Sequence, residues 1–247
     1  FDNTLKSIIL QPETGSISEL EIFDNTFVGN NLSAFYITGG NYDSVDIYNN
    51  NITNGFRGLN SAASNNYSIT NFKFRNNEIS NCYSYAVYLA TGCRGIELSE
   101  NEIFCNDNGI FNKTGASYPQ IPIVTKSYQN LIEGTSLSNA KIELFTLDNS
   151  TCSSNNVCQG RYFQSSTVAD NNGNWILSLP APLIDPFTVT AHTSNGTSNF
   201  TQCFDCIGFS NSITGPVSID SGDTEIYDGQ PVGGIIGYNH DWRQVSG

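Results

Sequence analysis

The sequence predicts an all-β chain, a right-handed parallel β-helix followed by a small antiparallel β-sandwich. Three observations predict it. A repeat of about 25 residues runs through the first half. Short alternating segments punctuated by Asn-Gly turns fill the second half. The composition is that of strands and tight turns: the 247 residues include 32 Asn, 28 Ser, 20 Thr and 22 Gly, with 12% aromatics.

The repeat has four copies. They are Leu20–Phe27, Val45–Ile52, Phe72–Ile79 and Ile96–Ile103, starting 25, 27 and 24 residues apart. Each reads apolar, x, apolar, x, acid or Asn, Asn, x, apolar. The alternation is a strand with one buried face. A second apolar segment follows in each copy: 35–37, 56–59, 86–89 and 110–111. One copy cannot bury its own apolar face, so copies stack. Stacking places Asn25, Asn50, Asn77 and Asn101 at one corner of successive coils. There their amides can form an internal ladder, and Asn tolerates the left-handed backbone that a sharp corner needs. The β-helix is expected over residues 1–116, with a further coil or remnant at 5–17 and more coils upstream.

The pattern changes at the proline-containing stretch 117–122. Strands are expected at 131–136, 140–145, 161–168, 175–179 and 187–192. Asp170-Asn171-Asn172-Gly173 reads as a hairpin turn. These strands predict a sandwich over 117–206. Residues 207–247 read as an irregular acidic tail or the start of another module.

Charge excludes several functions. Ten Lys+Arg against 23 Asp+Glu give a net −13. Ten scattered cations make no nucleic-acid stripe. No apolar run approaches a membrane span. Seven cysteines fit an oxidising compartment and an exported chain. Cys82 and Cys105 lie about one coil apart, so a bridge between them is possible. Cys152 with Cys158, and Cys203 with Cys206, are the other candidates.

The repeat resembles the right-handed parallel β-helix superfamily of pectate-lyase-like folds. The later motifs Gly134-Thr135, Asn139–Phe145, Ala169–Trp175, Thr188–Ala191 and Asn195–Phe200 resemble bacterial immunoglobulin-like modules. Such modules follow β-helices in large surface proteins of Bacteroidota. The resemblance implies export, a multidomain parent and a spacer or adhesive role, and it carries over no catalytic residue.

Candidate ligand-binding residues are the aromatics Tyr36, Tyr48 and Tyr88, suited to stacking on sugar faces, with Arg57 and Arg75. Glu21, Asp46 and Glu97 share one outward register, interrupted by Lys73. Lyases of this fold need a basic proton acceptor and usually Ca²⁺. The basic residues do not converge on one face. Ca²⁺ is the one cofactor the sequence suggests, held by Asp220, Asp223, Glu225 and Asp228, whose spacing is not that of an EF-hand loop. His192 lies on a sandwich strand and reads as structural.

The expected function is therefore a non-catalytic fragment of a secreted or surface-anchored multidomain protein. It would act as an adhesin, stalk or filament component. Its partners would be carbohydrate, another surface protein or other modules of the same parent. The alternative is a fragment of a polysaccharide lyase or glycoside hydrolase.

Overall fold

In a computed structural model of the chain, the residues described are 8–12, 15–29, 31–38, 40–61, 69, 71–90, 95–112, 118–147, 159–204, 210–214 and 228–232. Every regular element among them is a β-strand. β1 (Ile8–Leu10) precedes four coils of three strands each. The first coil holds β2 (Ser16–Phe23), β3 (Thr26–Val28) and β4 (Ser33–Ile37). The second holds β5 (Asn41–Tyr48), β6 (Asn51–Thr53) and β7 (Arg57–Ser61). The third holds β8 (Phe72–Arg75), β9 (Glu78–Ser80) and β10 (Tyr85–Leu89). The fourth holds β11 (Ile96–Ser99), β12 (Glu102–Phe104) and β13 (Asn108–Asn112).

Stacking makes three parallel sheets. Sheet A is β1-β4-β7-β10-β13, sheet B is β2-β5-β8-β11 and sheet C is β3-β6-β9-β12. Sheet C comes from the last apolar position of the repeat, where Phe27, Ile52, Ile79 and Ile103 each centre a short strand of their own. Apolar residues fill the interior. Val45, Ile47, Phe72, Phe74, Phe35 and Leu59 are fully enclosed.

The corner between sheets B and C carries the amide ladder. Asn25 Nδ2 donates to Asn50 Oδ1 (3.1 Å), Asn50 Nδ2 to Asn77 Oδ1 (3.0 Å) and Asn77 Nδ2 to Asn101 Oδ1 (3.0 Å). The main-chain N–H of Asn25, Asn50 and Asn77 donates to the same oxygens. Asn50, Asn77 and Asn101 are buried, so each rung satisfies donors that water cannot reach. The ladder Asn is not the left-handed residue, contrary to the expectation from sequence. That role falls one residue earlier, on Asp24, Asn49, Asn76 and Glu100, with φ between 51° and 55°. The bend turns there, and the following Asn keeps its side chain inside the coil. Two further left-handed columns stack in the same way. Glu19, Ser44, Asn71 and Gly95 form one, and Gly29, Asn54, Asn81 and Cys105 the other.

Two antiparallel sheets follow. Sheet D is β14 (Ile123–Ser127), β15 (Leu131–Thr135) and β18 (Asn174–Ser178). Sheet E is β16 (Lys141–Thr146), β17 (Tyr162–Val168), β19 (Phe187–Thr193) and β20 (Gly196–Thr197). They share one core, in which Ile132, Trp175 and Leu177 of sheet D meet Ile142, Leu144 and Val189 of sheet E. Gly134 has no side chain because the Trp175 ring lies where one would stand: a Cβ would fall 2.3 Å from its Cζ2. β14 lies beyond the strands expected from sequence.

The turn at 170–173 also differs from expectation. β17 pairs with β16 and β18 pairs with β15, so the turn carries the chain from one sheet to the other and closes no hairpin. Its local chemistry is as the residues suggest. Asp170 Oδ1 accepts the N–H of Asn172 and of Asn174, both at 2.8 Å, and Gly173 takes φ 84°. In the tail, β21 (Ser210–Thr214) and β22 (Asp228–Val232) pair antiparallel.

The antiparallel part caps the last coil. Thr197 Oγ1 accepts the Leu98 N–H (3.0 Å) and donates to the Leu98 carbonyl (3.2 Å), at the open edge of sheet B. Glu143 Oε2 accepts the Glu100 N–H (3.0 Å) at the first corner. The Gly160 carbonyl accepts the Ile103 N–H (2.7 Å) at the edge of sheet C. Gln159 Oε1 accepts both the N–H (3.1 Å) and Nδ2 (2.9 Å) of Asn106 at the second corner. Tyr118 and Phe200 pack against the interior of the helix. Groups that would bond a fifth coil are thus bonded by the sandwich.

Candidate functional site

Outward residues of a parallel sheet stack in rows, one per coil. The five candidate ligand-binding residues fall into two such groups on different walls. Tyr36, Arg57 and Tyr88 stand on sheet A, and Tyr48 and Arg75 on sheet B.

On sheet A, Tyr36, Asn60, Tyr88 and Phe111 occupy one register. Tyr88 and Phe111 stack with ring centroids 5.2 Å apart, and Tyr85 leans on both. The Arg57 guanidinium lies 4.2 Å over the Tyr88 ring and 4.7 Å over that of Phe56. Its Nε donates to Ser84 Oγ at 3.4 Å. Half-buried flanks fix these rings, while the hydroxyls of Tyr36, Tyr85 and Tyr88 hydrogen-bond to none of the described residues. The result is a rigid face of phenol groups, amides and one guanidinium. Phe56, Tyr85 and Phe111 were not singled out from sequence. Phe111 follows Tyr88 by 23 residues, one fewer than the spacing of the repeat, because the corner before β13 is one residue shorter than that before β10.

On sheet B, Phe23 and Tyr48 stack at 5.0 Å, and the Arg75 guanidinium lies 4.4 Å over Tyr48. Arg75 is tied to Asp46, with Nη2 to Oδ2 at 2.9 Å. The hydrogen bonds that Arg75 donates to Asp46 hold its pKa above the ordinary value. A guanidinium that keeps its proton more tightly is no proton acceptor at neutral pH. The row Glu21, Asp46, Lys73 and Glu97 is in register, as the spacing predicts. Glu19, Glu21, Asp46, Asn71 and Lys73 line an open depression of about 470 Å³.

The outward row of sheet C is Thr26, Asn51, Glu78 and Glu102. Burial and the adjacent Glu78 charge raise the Glu102 carboxyl, and Arg161 opposes them. Glu78, Glu100 and Glu102 line a second depression, of about 320 Å³. Among the described residues no cluster of His, Cys, Asp and Glu is arranged to hold a metal. Of the tail carboxylates proposed for Ca²⁺, Asp220, Asp223 and Glu225 lie outside the described residues, and only the backbone of Asp228 is described, in β22.

Charged groups also meet at the junction of helix and sandwich. Glu143 is 1% exposed, and Lys141 Nζ lies 2.7 Å from its Oε1. Burial raises the Glu143 carboxyl despite that partner. Burial lowers the His192 pKa, and its Nδ1 lies 3.1 Å from Thr197 Oγ1, a structural contact.

The cysteines correct one expectation. Cys82 is a free, buried thiol. Its main-chain N–H donates to Asn106 Oδ1 (2.9 Å), so it aligns with Asn106, and Cys105 stands one residue out of register in a left-handed column. Because Cys82 is free, no bridge joins it to Cys105. Cys105 and Cys203 are each disulfide-bonded. Cys152, Cys158 and Cys206 lie outside the described residues.

Among the described residues no helix is long and apolar enough to cross a membrane. No family model matches the chain, and no curated protein matches it in sequence.

Proposed function

We propose that this chain is a non-catalytic segment of an exported, multidomain surface protein, and that it holds glycans along the outer face of its β-helix. The observation that carries the reading is sheet A: rings locked against one another, with the hydroxyls of Tyr36, Tyr85 and Tyr88 left for a ligand. Rigid Tyr-rich surfaces bind polar ligands at low entropic cost. The immunoglobulin-like resemblance of the later part supports export as a module of a surface protein. The disulfides at Cys105 and Cys203 support an oxidising compartment. Arg75, fixed by Asp46, supports the absence of lyase chemistry.

Affinity electrophoresis through gels containing polysaccharides tests it. Retardation is expected for the intact chain and should fall in Tyr36→Ala and Tyr88→Ala. Incubation with pectin, alginate and chondroitin should release neither reducing ends nor unsaturated products. Turnover that Arg75→Ala abolishes would overturn the non-catalytic reading.

A further inference from the structure

The chain holds 23 Asp+Glu, yet they are unevenly placed. Sheet B carries Glu19, Glu21, Asp43, Asp46 and Glu97 on its strands, and sheet C carries Glu78 and Glu102. The five strands of sheet A carry none. Asp107 stands at the corner just before β13. The one charged side chain on those five strands is Arg57.

Three other cations are ion-paired, and Lys73 stands between Asp46 and Glu97 in the outward row of sheet B. Arg75 is held by Asp46, Lys126 by Glu133 and Lys141 by Glu143. Arg57 has no acidic partner among the described residues. It lies flat on Tyr88 and Phe56, and Ser84 engages its Nε at 3.4 Å. Guanidinium carries five N–H donors in a planar fork, so its terminal nitrogens remain for an oxyanion. Ring stacking restricts the side chain beforehand, which reduces the entropy a ligand must supply. An anionic ligand is repelled from sheets B and C and meets a fixed cation on sheet A.

We propose that the outer face of sheet A selects an anionic glycan, with Arg57 reading the carboxylate or sulfate and the phenols of Tyr36, Tyr85 and Tyr88 meeting its hydroxyls. This rests on the glycan-binding reading above. It assigns that face a ligand charge and a residue that reads it.

The test compares three probes in affinity electrophoresis: dextran as the neutral chain, dextran sulfate as the sulfated one and alginate as the carboxylated one. Dextran sulfate, alginate or both should retard the chain, and dextran should retard it far less. The responding probe identifies the anion. Arg57→Gln should weaken that binding about tenfold or more, the loss expected for charge-assisted hydrogen bonds. Arg57→Lys should retain part of it. Lys73→Gln, the same charge change on sheet B, should leave it intact. Binding should weaken as salt is raised, because the contact is exposed. Matching melting curves for wild type and Arg57→Gln confirm that the fold is unchanged. Equal retardation by dextran and dextran sulfate, or Arg57→Gln binding like wild type, would overturn the charge selection and leave glycan binding standing. Failure of all three probes to retard the chain overturns both.

Discussion

Gln159 stands to Asn106 as Asn50 stands to Asn25. In each pair one side-chain carbonyl accepts the main-chain N–H and the Nδ2 of the other residue, at 2.9 to 3.1 Å. Gln159 Nε2 also donates to the Asn106 carbonyl (2.6 Å). A residue of the antiparallel part therefore acts as the rung of a coil that the fold does not contain. Gln159→Leu removes the acceptor of the buried Asn106 N–H and the donor to its carbonyl, while Nδ2 keeps the carbonyls of Ile79 and Phe104. It should cost about 2–4 kcal/mol, read as a fall in the urea midpoint at unchanged m-value. Unchanged stability would mean that water replaces the amide.

Position along the amide ladder should set the cost of breaking it. Asn77 is fully buried and bonds to Asn50, Asn101 and the Ile47 carbonyl. Asn77→Ala should lose about 2–4 kcal/mol, whereas Asn25→Ala, at the half-buried first rung, should lose about 1 kcal/mol or less. Equal losses in chemical denaturation would show that the ladder does not act rung by rung.

The Glu143 carboxyl gives the junction a pH dependence. Burial raises its pKa in the fold above the ordinary 4.5. The folded state then binds a proton that the unfolded state has released, so stability falls as pH rises from 4.5 through the raised value. Below 4.5 both states hold the proton and the contribution is fully present. Glu143→Gln keeps an acceptor for the Glu100 N–H and removes the titration. The stability–pH curve of that variant should be flatter over this window, and a slope unchanged from wild type would assign the dependence elsewhere.

Cys82 should be chemically silent in the native protein. Burial pushes its thiol up to about 12, leaving about one molecule in ten thousand as thiolate at pH 8. Iodoacetamide should label Cys82 only after denaturation, followed by peptide mass analysis. Rapid native labelling would place the thiol at the surface.

The asparagine ladder was legible because strand and corner lengths between the sheets are local, and four copies repeat them. The left-handed residue was less so: Asp24, Asn49, Asn76 and Glu100 share a conformation without sharing a side-chain type. The cap was hidden by distance along the chain, since Thr197 bonds to Leu98 across 99 residues. The Asp170–Gly173 turn shows the same limit. Asn-Gly chemistry specifies the bend, and only packing decides which strands the bend joins. On the candidate site, Tyr88 and Arg57 could be named individually. Their meeting depends on the register of β7 against β10.

The three corners differ in how much change they admit. Two residues separate sheet B from sheet C in every coil, and three or four separate sheet C from sheet A. The return from sheet A to sheet B takes three residues after β4, ten after β7 and six after β10. Growth of the chain by partial units is thus confined to one seam of the rod. A whole extra coil lengthens it by a fixed step of about 4.8 Å. For a lineage, or for an engineer, rod length is a digital variable, and that seam is where a new loop can be written without rewriting the rungs.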